Sequence, residues 1–467
     1  MATIGIAVLA AGKGSRLKID RAKALCPTLG RALIDYVVEG AMAFATEEGL
    51  EAVPTVVVGH LKEAVRNHVE QTFPGQCLFA WQKQQRGTAD AMRSFFEECP
   101  ENSAQDFTFV VCADTPLLTA ATFARLWEEM KSRPGLKACA GTFHADDPQG
   151  YGRILHEGKG FRIVEEKDAT PAQREITEVN SGFYLVRTAY LRERLAKVDN
   201  HNKSGEFYLT DIFGADEDVA AVSYADPLVF LGVNTLDQLE EVGRELRRRK
   251  NVQLMRQGVL MLDTATTYVD WQVEVGAETI LHPGTHLLGA TRVGSRVEIE
   301  PGAILRDSVV EDGAAILAYS HLDQAVVRAG AHVGPFARLR PDTDVGPNAK
   351  IGNFVETKKA RLAAGVKVSH LSYVGDAEIG ADSNIGCGFI TCNYDGANKH
   401  QTKIGKNVFV GSDVQAVAPL EIGDGAFVAA GSTVTKDVPP GGFAIARSPQ
   451  VTKEGMAKRF LKSKKPS

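Results

Sequence analysis

The sequence has little of what marks disulfide-rich, membrane or nucleic-acid-binding proteins. Its seven cysteines are an odd number without CxxC spacing, which disfavours both a disulfide framework and a zinc knuckle. No apolar run approaches the roughly 20 residues that cross a bilayer, and no basic region precedes the N-terminal apolar run. The net charge of -5 gives no overall attraction to nucleic acid or to anionic membranes. We therefore expect a soluble, cytoplasmic protein, with no nucleic acid or membrane as partner.

Two familiar phosphate-binding patterns are also absent from the first Gly-rich loop, "VLAAGKGSR" at residues 8–16. The dinucleotide fingerprint needs a third glycine where this chain has Leu17, and the P-loop needs Gly-Lys-Ser/Thr after four intervening residues. The ingredients of an anion site remain, because a predicted strand leads into a Gly-rich turn that carries Lys13 and Arg16. From the pattern alone, a phosphate-binding loop and a solvated turn with two surface cations are both open.

The length predicts two or three domains, and the 44% hydrophobic share predicts that they are globular. The first half alternates apolar strands, such as "TIGIAVLA" and "DFTFVVCAD", with amphipathic helical stretches such as "RALIDYVVEGAMAFATEEG". This alternation predicts a parallel sheet with helices on both faces. Ligands of such sheets bind at the carboxyl ends of the strands, where both "LAAGKGSR" and "CADTP" fall.

The second half follows a six-residue period. Residues 235–258 predict one connecting helix, and aliphatic residues then recur every six positions from about Val293 to Val434. This period predicts a coil of triangular cross-section, in which each short strand points one aliphatic side chain inward. Glycine often follows that residue, and we expect it to supply a positive φ at the corner. The polar stretch "CNYDGANKHQT" interrupts the period and should bulge outward as a functional loop. The clearest inward positions are Val333, Leu339, Val345, Ile351, Leu362, Val368, Val374, Ile404, Val410, Ala416, Ile422, Val428 and Val434.

Motifs along essentially the whole chain carry a family resemblance. They are, in order, "LAAGKGSR", "RGTADA", "GYGRI", "VEEKDA", "VNSG", "GVN", "GPFARLRP", "GNFVETKK", "HLSYVGDAEIG" and "TCNYDGANK". This series resembles the bifunctional N-acetylglucosamine-1-phosphate uridyltransferase / glucosamine-1-phosphate N-acetyltransferase family. The resemblance implies an α/β Rossmann-like nucleotidyltransferase domain at 1–236, a helical linker at 237–258 and a left-handed parallel β-helix of hexapeptide repeats at 259–467. It also implies that the first Gly-rich loop holds the phosphates of a nucleoside triphosphate.

The same resemblance implies an activity, co-substrates and an assembly. Acetyl transfer from acetyl-CoA to glucosamine 1-phosphate would be followed by uridylyl transfer from UTP to N-acetylglucosamine 1-phosphate, with Mg²⁺ as the metal. The family is a homotrimer through its β-helix, with acetyltransferase pockets shared between chains. Two alternatives remain open: a monofunctional sugar-1-phosphate nucleotidyltransferase with a structural or regulatory β-helix, and a scaffold subunit without chemistry.

The resemblance assigns the first site residue by residue. Arg16 and Lys23 would be catalytic, balancing the triphosphate charge and stabilising charge that develops during attack on the α-phosphorus. Asp114 and Asn234 are similar to the family's magnesium ligands, although Asp114 taken alone could equally cap a turn. Gln82, Gly87 and Thr88 resemble the residues that read the uracil edge. The full implied nucleotide and N-acetylglucosamine set is Leu9, Ala10, Ala11, Gly12, Lys23, Gln82, Gly87, Thr88, Cys112, Asp114, Gly152, Glu165, Asn180, Tyr208, Thr210 and Asn234.

The second site needs a base, because the amine of a hexosamine phosphate arrives largely protonated. His370 suits this role, since its ordinary pKa lies near 6.5, whereas a lone histidine on a coil is otherwise most often a surface residue. The implied sugar-phosphate set is Arg340, Lys358, Tyr373, Asn384 and Lys399. The implied acetyl-CoA set is Cys387, Asn393, Tyr394, Ser412, Ala430 and Arg447.

The sequence departs from the family pattern at three places. "CAD" at 112–114 replaces the usual Tyr-Gly-Asp, so that Ala113 would be strained if its position needs a positive φ. Ala22 stands where a proline commonly precedes the lysine. Cys387 and Phe389 replace small residues near the acetyl donor, and we assign no catalytic role to the cysteine.

Overall fold

The computed structural model describes residues 2–461 and divides the chain into two compact units, residues 1–247 and 248–467. The last six residues of the predicted second domain lie outside the described part. The helices are α1 Leu33–Glu47, α2 Lys62–Thr72, α3 Thr88–Glu98, α4 Ala120–Ser132, α5 Pro171–Arg174, α6 Thr188–Leu195 and α7 Leu236–Arg256. Within residues 2–461, every helix is too short or too polar to span a bilayer.

The first unit is built on one nine-stranded sheet. The strands of this unit are β1 Ile4–Ala10, β2 Pro27–Thr28, β3 Arg31–Ala32, β4 Pro54–Val58, β5 Leu78–Trp81, β6 Phe107–Cys112, β7 Ala138–His144, β8 Arg153–Glu157, β9 Gly160–Val164, β10 Glu178–Arg187 and β11 Val219–Ser223. The main path of the sheet runs in the order β11-β7-β10-β6-β1-β4-β5, β8 and β9 form a hairpin beside β10, and β2 and β3 pair separately.

The sheet is only partly parallel. β6, β1, β4 and β5 run parallel, as the alternating pattern predicts, but β10 is antiparallel to both β6 and β7. The chain reaches β10 from β7 through the β8–β9 hairpin without a long crossover helix, and such a connection suits antiparallel pairing. Phe44, Phe109, Phe123 and Phe183 pack together in the core, each at most 1% exposed.

The second unit is a parallel β-helix. Three short strands make one turn, and each strand pairs in parallel with the strand above it. Most turns have 17 or 18 residues, as from Lys350 to Lys367, but the turn from Asn384 to Phe409 has 25 because it contains an inserted loop. The strands are β12 Leu260–Met261, β13 Tyr268–Val269, β14 Glu274–Val275, β15 Ile280–Leu281, β16 His286–Leu288, β17 Arg292–Val293, β18 Glu298–Ile299, β19 Ile304–Arg306, β20 Val309–Val310, β21 Ala315–Ile316, β22 His321–Asp323, β23 Ala325–Val327, β24 His332–Val333, β25 Arg338–Leu339, β26 Thr343–Val345, β27 Lys350–Asn353, β28 Glu356–Leu362, β29 Lys367–His370, β30 Tyr373–Ile379, β31 Asn384–Ile385, β32 Ile390–Cys392, β33 Thr402–Ile404, β34 Phe409–Val410, β35 Gln415–Val417, β36 Leu420–Ile422, β37 Phe427–Val428, β38 Thr433–Val434 and β39 Phe443–Ala444.

The inward positions predicted from the six-residue period form the core of this β-helix. All thirteen of the residues named above are at most 5% exposed. Most of the polar stretch at residues 392–402 forms an exposed loop between β32 and β33, so the predicted bulge is confirmed. Within it, Asp395 accepts hydrogen bonds from the backbone of Ala397 and Asn398, and these bonds hold the pKa of Asp395 well below its usual range.

The role expected for the glycines after inward residues is wrong at most positions. Gly334 has a φ of +111°, but Gly352 and Gly411 follow inward residues without a positive φ, and many left-handed positions fall elsewhere, as at Asn348. A Cβ on Gly352 would lie 1.9 Å from the carbonyl oxygen of Ser369 on the next turn. Glycine is needed there because the backbones of successive turns approach too closely for a side chain.

Candidate active sites

The carboxyl ends of two neighbouring strands form the first site. β1 and β6 pair in parallel with Leu9 opposite Cys112, so the Gly-rich loop and Asp114 leave the sheet at the same edge. The backbone N–H of Ala113 donates to the carbonyl of Leu9 at 3.0 Å. The N–H of Val233 donates to the carbonyl of Asp114 at 2.9 Å, which places Asn234 at the same edge.

A cleft of about 410 Å³ opens at this edge. It brings together the predicted nucleotide-binding residues of the Gly-rich loop, the residues expected to contact uracil, and the residues at the ends of β1 and β6. The predicted residues that line it are Leu9, Ala10, Ala11, Gly12, Arg16, Lys23, Gln82, Gly87, Thr88, Cys112, Asp114 and Asn234.

Positive charge and oxygen ligands converge inside the cleft. Lys23 Nζ forms a close ion pair with a carboxylate oxygen of Asp114 and donates to Asn234 Oδ1 at 2.8 Å. An Arg16 guanidinium nitrogen donates to the same amide oxygen at 2.7 Å. Gly14 makes this arrangement possible, because it has a φ of +59° and a Cβ there would lie 2.9 Å from Cβ of Lys23.

The oxygen atoms of Asp114 and Asn234 suit a magnesium ion. Both lie against one ammonium group, so they already converge on a positive charge. Among residues 2–461, no group of three His, Cys, Asp or Glu side chains could hold a metal. One carboxylate and one amide oxygen fit Mg²⁺ because this ion keeps several waters and takes phosphate oxygens from its substrate.

The predicted sugar-binding residues form a second cluster, outside the lining of the cleft. Glu165 Oε1 accepts from the hydroxyl of Thr210 at 3.1 Å, and burial raises the pKa of Glu165. The backbone N–H of Asn180 donates to the carbonyl of Gly152 at 2.9 Å. Tyr208 lies close enough to Glu165 for the carboxylate to contribute to the raised pKa of the phenol, after burial.

Two departures from the family pattern are accommodated without strain. Ala113 is buried and does not have a positive φ, so the strain that such a φ would cause is absent. Ala22 has a φ of -59°, the value that a proline ring would fix. Burial raises the pKa of the Cys112 thiol to about 12, so this side chain is neutral at physiological pH.

Three cations gather on the β-helix where a sugar phosphate is expected. The ammonium of Lys399, and after it the guanidinium of Arg340, lower the pKa of Lys358, because charging Lys358 beside them is unfavourable. Arg340 also donates to Glu356 at 2.9 Å, a partner that the sequence motifs did not single out. The three cations carry more positive charge than the carboxylate of Glu356 neutralises, as binding a phosphate dianion requires.

His370 is held by an asparagine on the preceding turn. Its Nδ1 lies 2.7 Å from Oδ1 of Asn353, which can only accept, so the proton of a neutral imidazole resides on Nδ1. Nε2 makes no hydrogen bond within the described residues and keeps its lone pair. Sequence reasoning missed Asn353, although the 17-residue spacing to His370 is one turn of the helix.

Part of the predicted acetyl-CoA set lies in one column. Val368, Ile385, Val410 and Val428 are paired on successive turns. The residues two positions later are therefore stacked along the helix in the order His370, Cys387, Ser412 and Ala430. Arg447 follows the next strand of this column, β39, and is exposed.

The other predicted second-site residues are spread over neighbouring features. Asn393 donates to Asp376, and Tyr394 is 60% exposed on the loop at residues 392–402. Tyr373 lies in β30 of the sheet that carries Lys358, whereas Asn384 lies in β31 of the sheet that carries His370. Phe389 is fully buried in the core, so it contributes packing to this region.

Fold and site together define a nucleotidyltransferase joined to a hexapeptide-repeat transferase. Residues 6–256 match the model of the MobA-like NTP transferase domain, and residues 401–436 match the model of the bacterial transferase hexapeptide repeat. Proteins named bifunctional protein GlmU are 42–46% identical to this chain over nearly its full length, so the chain belongs to the GlmU family. This finding confirms the predicted family and its two activities, uridylyl transfer and N-acetyl transfer, and nothing favours a monofunctional enzyme.

Relatives match over nearly the full chain. The bifunctional protein GlmU of Pelobacter propionicus is 42% identical over 99% of this chain and 100% of its own length. The GlmU of Trichlorobacter lovleyi is 44% identical over 97% of this chain and 98% of its own. The GlmU of an Anaeromyxobacter species is 46% identical over 97% of this chain and 92% of its own length.

Proposed function

We propose that the cleft at the ends of β1 and β6 performs the uridylyl transfer, and that the residues around His370 perform the acetyl transfer. The observation that carries the first assignment is the convergence of Lys23, Arg16, Asp114 and Asn234 in one cleft. A triphosphate needs cations and oxygen-ligated metal at a single place.

In the first reaction site, a phosphate oxygen of N-acetylglucosamine 1-phosphate attacks the α-phosphorus of UTP in line with the leaving group. The new bond joins this oxygen to the α-phosphorus, and the bond from the α-phosphorus to the bridging oxygen breaks, releasing pyrophosphate. Arg16 and Lys23 stabilise the charge that develops on the phosphoryl oxygens. Lys23 exchanges its carboxylate partner for phosphate oxygens when the nucleotide binds.

Asp114 and Asn234 would hold Mg²⁺, which neutralises phosphate charge when it is bound. Gln82, Gly87 and Thr88 contact the base, and Leu9 to Gly12 line the phosphates. Gly152, Glu165, Asn180, Tyr208 and Thr210 hold the sugar.

In the second site, Nε2 of His370 takes a proton from the ammonium of glucosamine 1-phosphate, as the amine attacks the thioester carbonyl of acetyl-CoA. The nitrogen–carbon bond forms and the carbon–sulfur bond breaks. The attacking nitrogen gives up a second proton as it becomes the amide, and the departing sulfur takes up one proton, so the coenzyme leaves as the thiol. Asn353 keeps the Nδ1 proton in place, so that Nε2 is the basic nitrogen. Arg340, Lys358 and Lys399 hold the phosphate.

We further propose that residues 1–236 and 259–467 are the two functional domains and residues 237–258 a helical linker, that the enzyme is a cytoplasmic homotrimer, and that its acetyl-transfer pockets lie between chains. In these pockets, His370 and the sugar-phosphate cations would come from one chain, and the segment that carries Arg447 would reach a pocket on another. The support is that Arg447 is exposed and follows β39, the last strand of its column.

Separate assays of the two half-reactions in two variants test these assignments. Lys23→Ala should lower pyrophosphate release by roughly 10²- to 10³-fold while acetyl transfer stays at the wild-type rate. His370→Ala should lower thiol release by roughly 10²- to 10⁴-fold while uridylyl transfer is kept. Loss of both activities in either variant, with folded protein, would contradict the assignment of separate sites.

A further inference from the structure

The orientation of one amide in the first cleft is fixed by its neighbours. Gln82 is 3% exposed, and its Nε2 donates both hydrogens, one to the carbonyl of Gly87 and one to a carboxylate oxygen of Asp90, each at 3.0 Å. A carbonyl and a carboxylate can only accept hydrogen bonds. The reverse orientation would place the amide oxygen against two acceptors, so the nitrogen must face them.

The other end of this amide remains available to a ligand. Gln82 lines the cleft, and its Oε1 accepts no hydrogen bond within the described residues. A ligand in the cleft therefore finds the acceptor Oε1 of Gln82 at this position, and no donor from this side chain. Uracil carries a hydrogen on N3, whereas N3 of cytosine carries a lone pair, so an acceptor distinguishes the two bases at this atom.

A third residue keeps the carboxylate in its place. Asp90 is 6% exposed near the start of α3, and its second oxygen accepts from the guanidinium of Arg86 at 2.8 Å. Arg86 thereby occupies one oxygen and leaves the other for Gln82. A buried carboxylate with both oxygens satisfied in this way is held firmly.

We propose that Asp90 is a positioning residue that sets the base preference of this enzyme, because it holds Gln82 with its acceptor toward the pyrimidine. The inference rests on the proposed function, in which Gln82 contacts the base. Asp90 itself touches no substrate and acts through the amide of Gln82.

Two variants of Asp90 separate this role from simple support of the fold. In Asp90→Asn, the guanidinium of Arg86 can only donate, so it pairs with the amide oxygen of the new side chain. The amide nitrogen of that side chain then faces Gln82. The flipped form of Gln82 then becomes competitive and offers a donor to the base. Asp90→Ala removes one partner and leaves Gly87 to hold the original orientation. The isosteric variant should therefore lose more base preference than the truncated one.

The experiment measures kcat/KM of the full chain with UTP and with CTP, at saturating N-acetylglucosamine 1-phosphate, by pyrophosphate release. We expect the UTP-to-CTP ratio to fall about 10-fold in Asp90→Asn and less in Asp90→Ala. Arg86→Ala is the matched control, since it removes the other partner of Asp90 but keeps the carboxylate, and its ratio should stay within about twofold of wild type. Thermal denaturation verifies that each variant is folded. If Asp90→Ala does not fold, the comparison of Asp90→Asn with the wild type tests the proposal.

The outcomes distinguish this inference from the assignment of the site. Gln82→Ala should also lose the preference. If Gln82→Ala keeps the wild-type ratio, or if the wild type has no preference for UTP, Gln82 does not read the base and both proposals fail. If Gln82→Ala loses the preference while folded Asp90→Asn keeps it, the role of Asp90 alone is overturned.

Discussion

Asn353 and His370 face each other across one turn of the β-helix, with Oδ1 of the asparagine 2.7 Å from Nδ1 of the histidine. Removing this contact frees the imidazole to adopt the wrong tautomer. Asn353→Ala should therefore lower acetyl transfer by at least roughly 10-fold without a change in uridylyl transfer.

Asn353→Asp should instead move the acid limb of the pH–rate profile of acetyl transfer to higher pH, because a carboxylate stabilises the imidazolium and raises its pKa. An unshifted limb in this variant would contradict the proposed role of His370 as base.

Magnesium dependence checks the role of Asp114. Asp114→Asn keeps the shape of the side chain but removes the only carboxylate among the two proposed ligands. We expect the Mg²⁺ concentration for half-maximal uridylyl transfer to rise by about 10-fold or more, because hard cations depend on ligand charge. Acetyl transfer serves as the internal control. An unchanged magnesium requirement would mean that Asp114 does not hold the ion.

The close approach of successive turns predicts a large stability effect at Gly352. A methyl group there would overlap the carbonyl of Ser369, so Gly352→Ala should reduce the free energy of unfolding by about 1–3 kcal/mol or more. Gly313→Ala is the control, because Gly313 has a φ of +67° but open space around its Cβ. It should cost only about 1–2 kcal/mol through the left-handed backbone. Denaturant unfolding measures both, and a larger loss at Gly313 would contradict the packing argument.

The first unit should lose one stabilising contact as the pH rises. Nε2 of His68 lies 2.8 Å from a carboxylate oxygen of Asp35, and this hydrogen bond raises the pKa of His68 in the folded state. The contribution of this pair to the free energy of unfolding is fully present below the pKa of His68 in the unfolded chain, about 6.5. It is lost as the pH rises through the higher pKa of the folded state. The difference in thermal midpoint between wild type and His68→Gln should therefore be larger at pH 6 than at pH 8.5. An equal difference at both pH values would contradict the ionic contribution.

Shared acetyl-transfer pockets predict complementation between inactive chains. His370→Ala and Arg447→Ala variants would be unfolded together and refolded, and native mass spectrometry would verify mixed trimers. Some pockets would then combine an intact His370 from one chain with an intact Arg447 from another, so activity should rise above that of either parent. Mixed trimers without recovered activity would place both residues in pockets made by one chain.

The sequence by itself determined the alternation of strands and helices in the first half, the six-residue period of the second half and the edge of the sheet at which the first cleft opens. Strand ends bring the Gly-rich loop and Asp114 together in any parallel pairing of β1 with β6, so their proximity follows from local pattern. In the second half, the side chain at every sixth position must point into the coil, and the burial of Val333 through Val434 follows from that repeat alone.

Only the tertiary structure decided the features that depend on contacts between turns or on strand direction. The antiparallel course of β10 depends on the β8–β9 hairpin, which takes the place of the helix that a parallel crossover would need. The alternation of strands and helices along the sequence does not show this change of direction. The need for glycine at position 352 comes from the turn above it and leaves no mark in its own φ. The partners Asn353 and Asp90 were likewise hidden, because hydrogen bonds join atoms that are near in space, and residue type at one position does not reveal which side chain the fold brings to meet it.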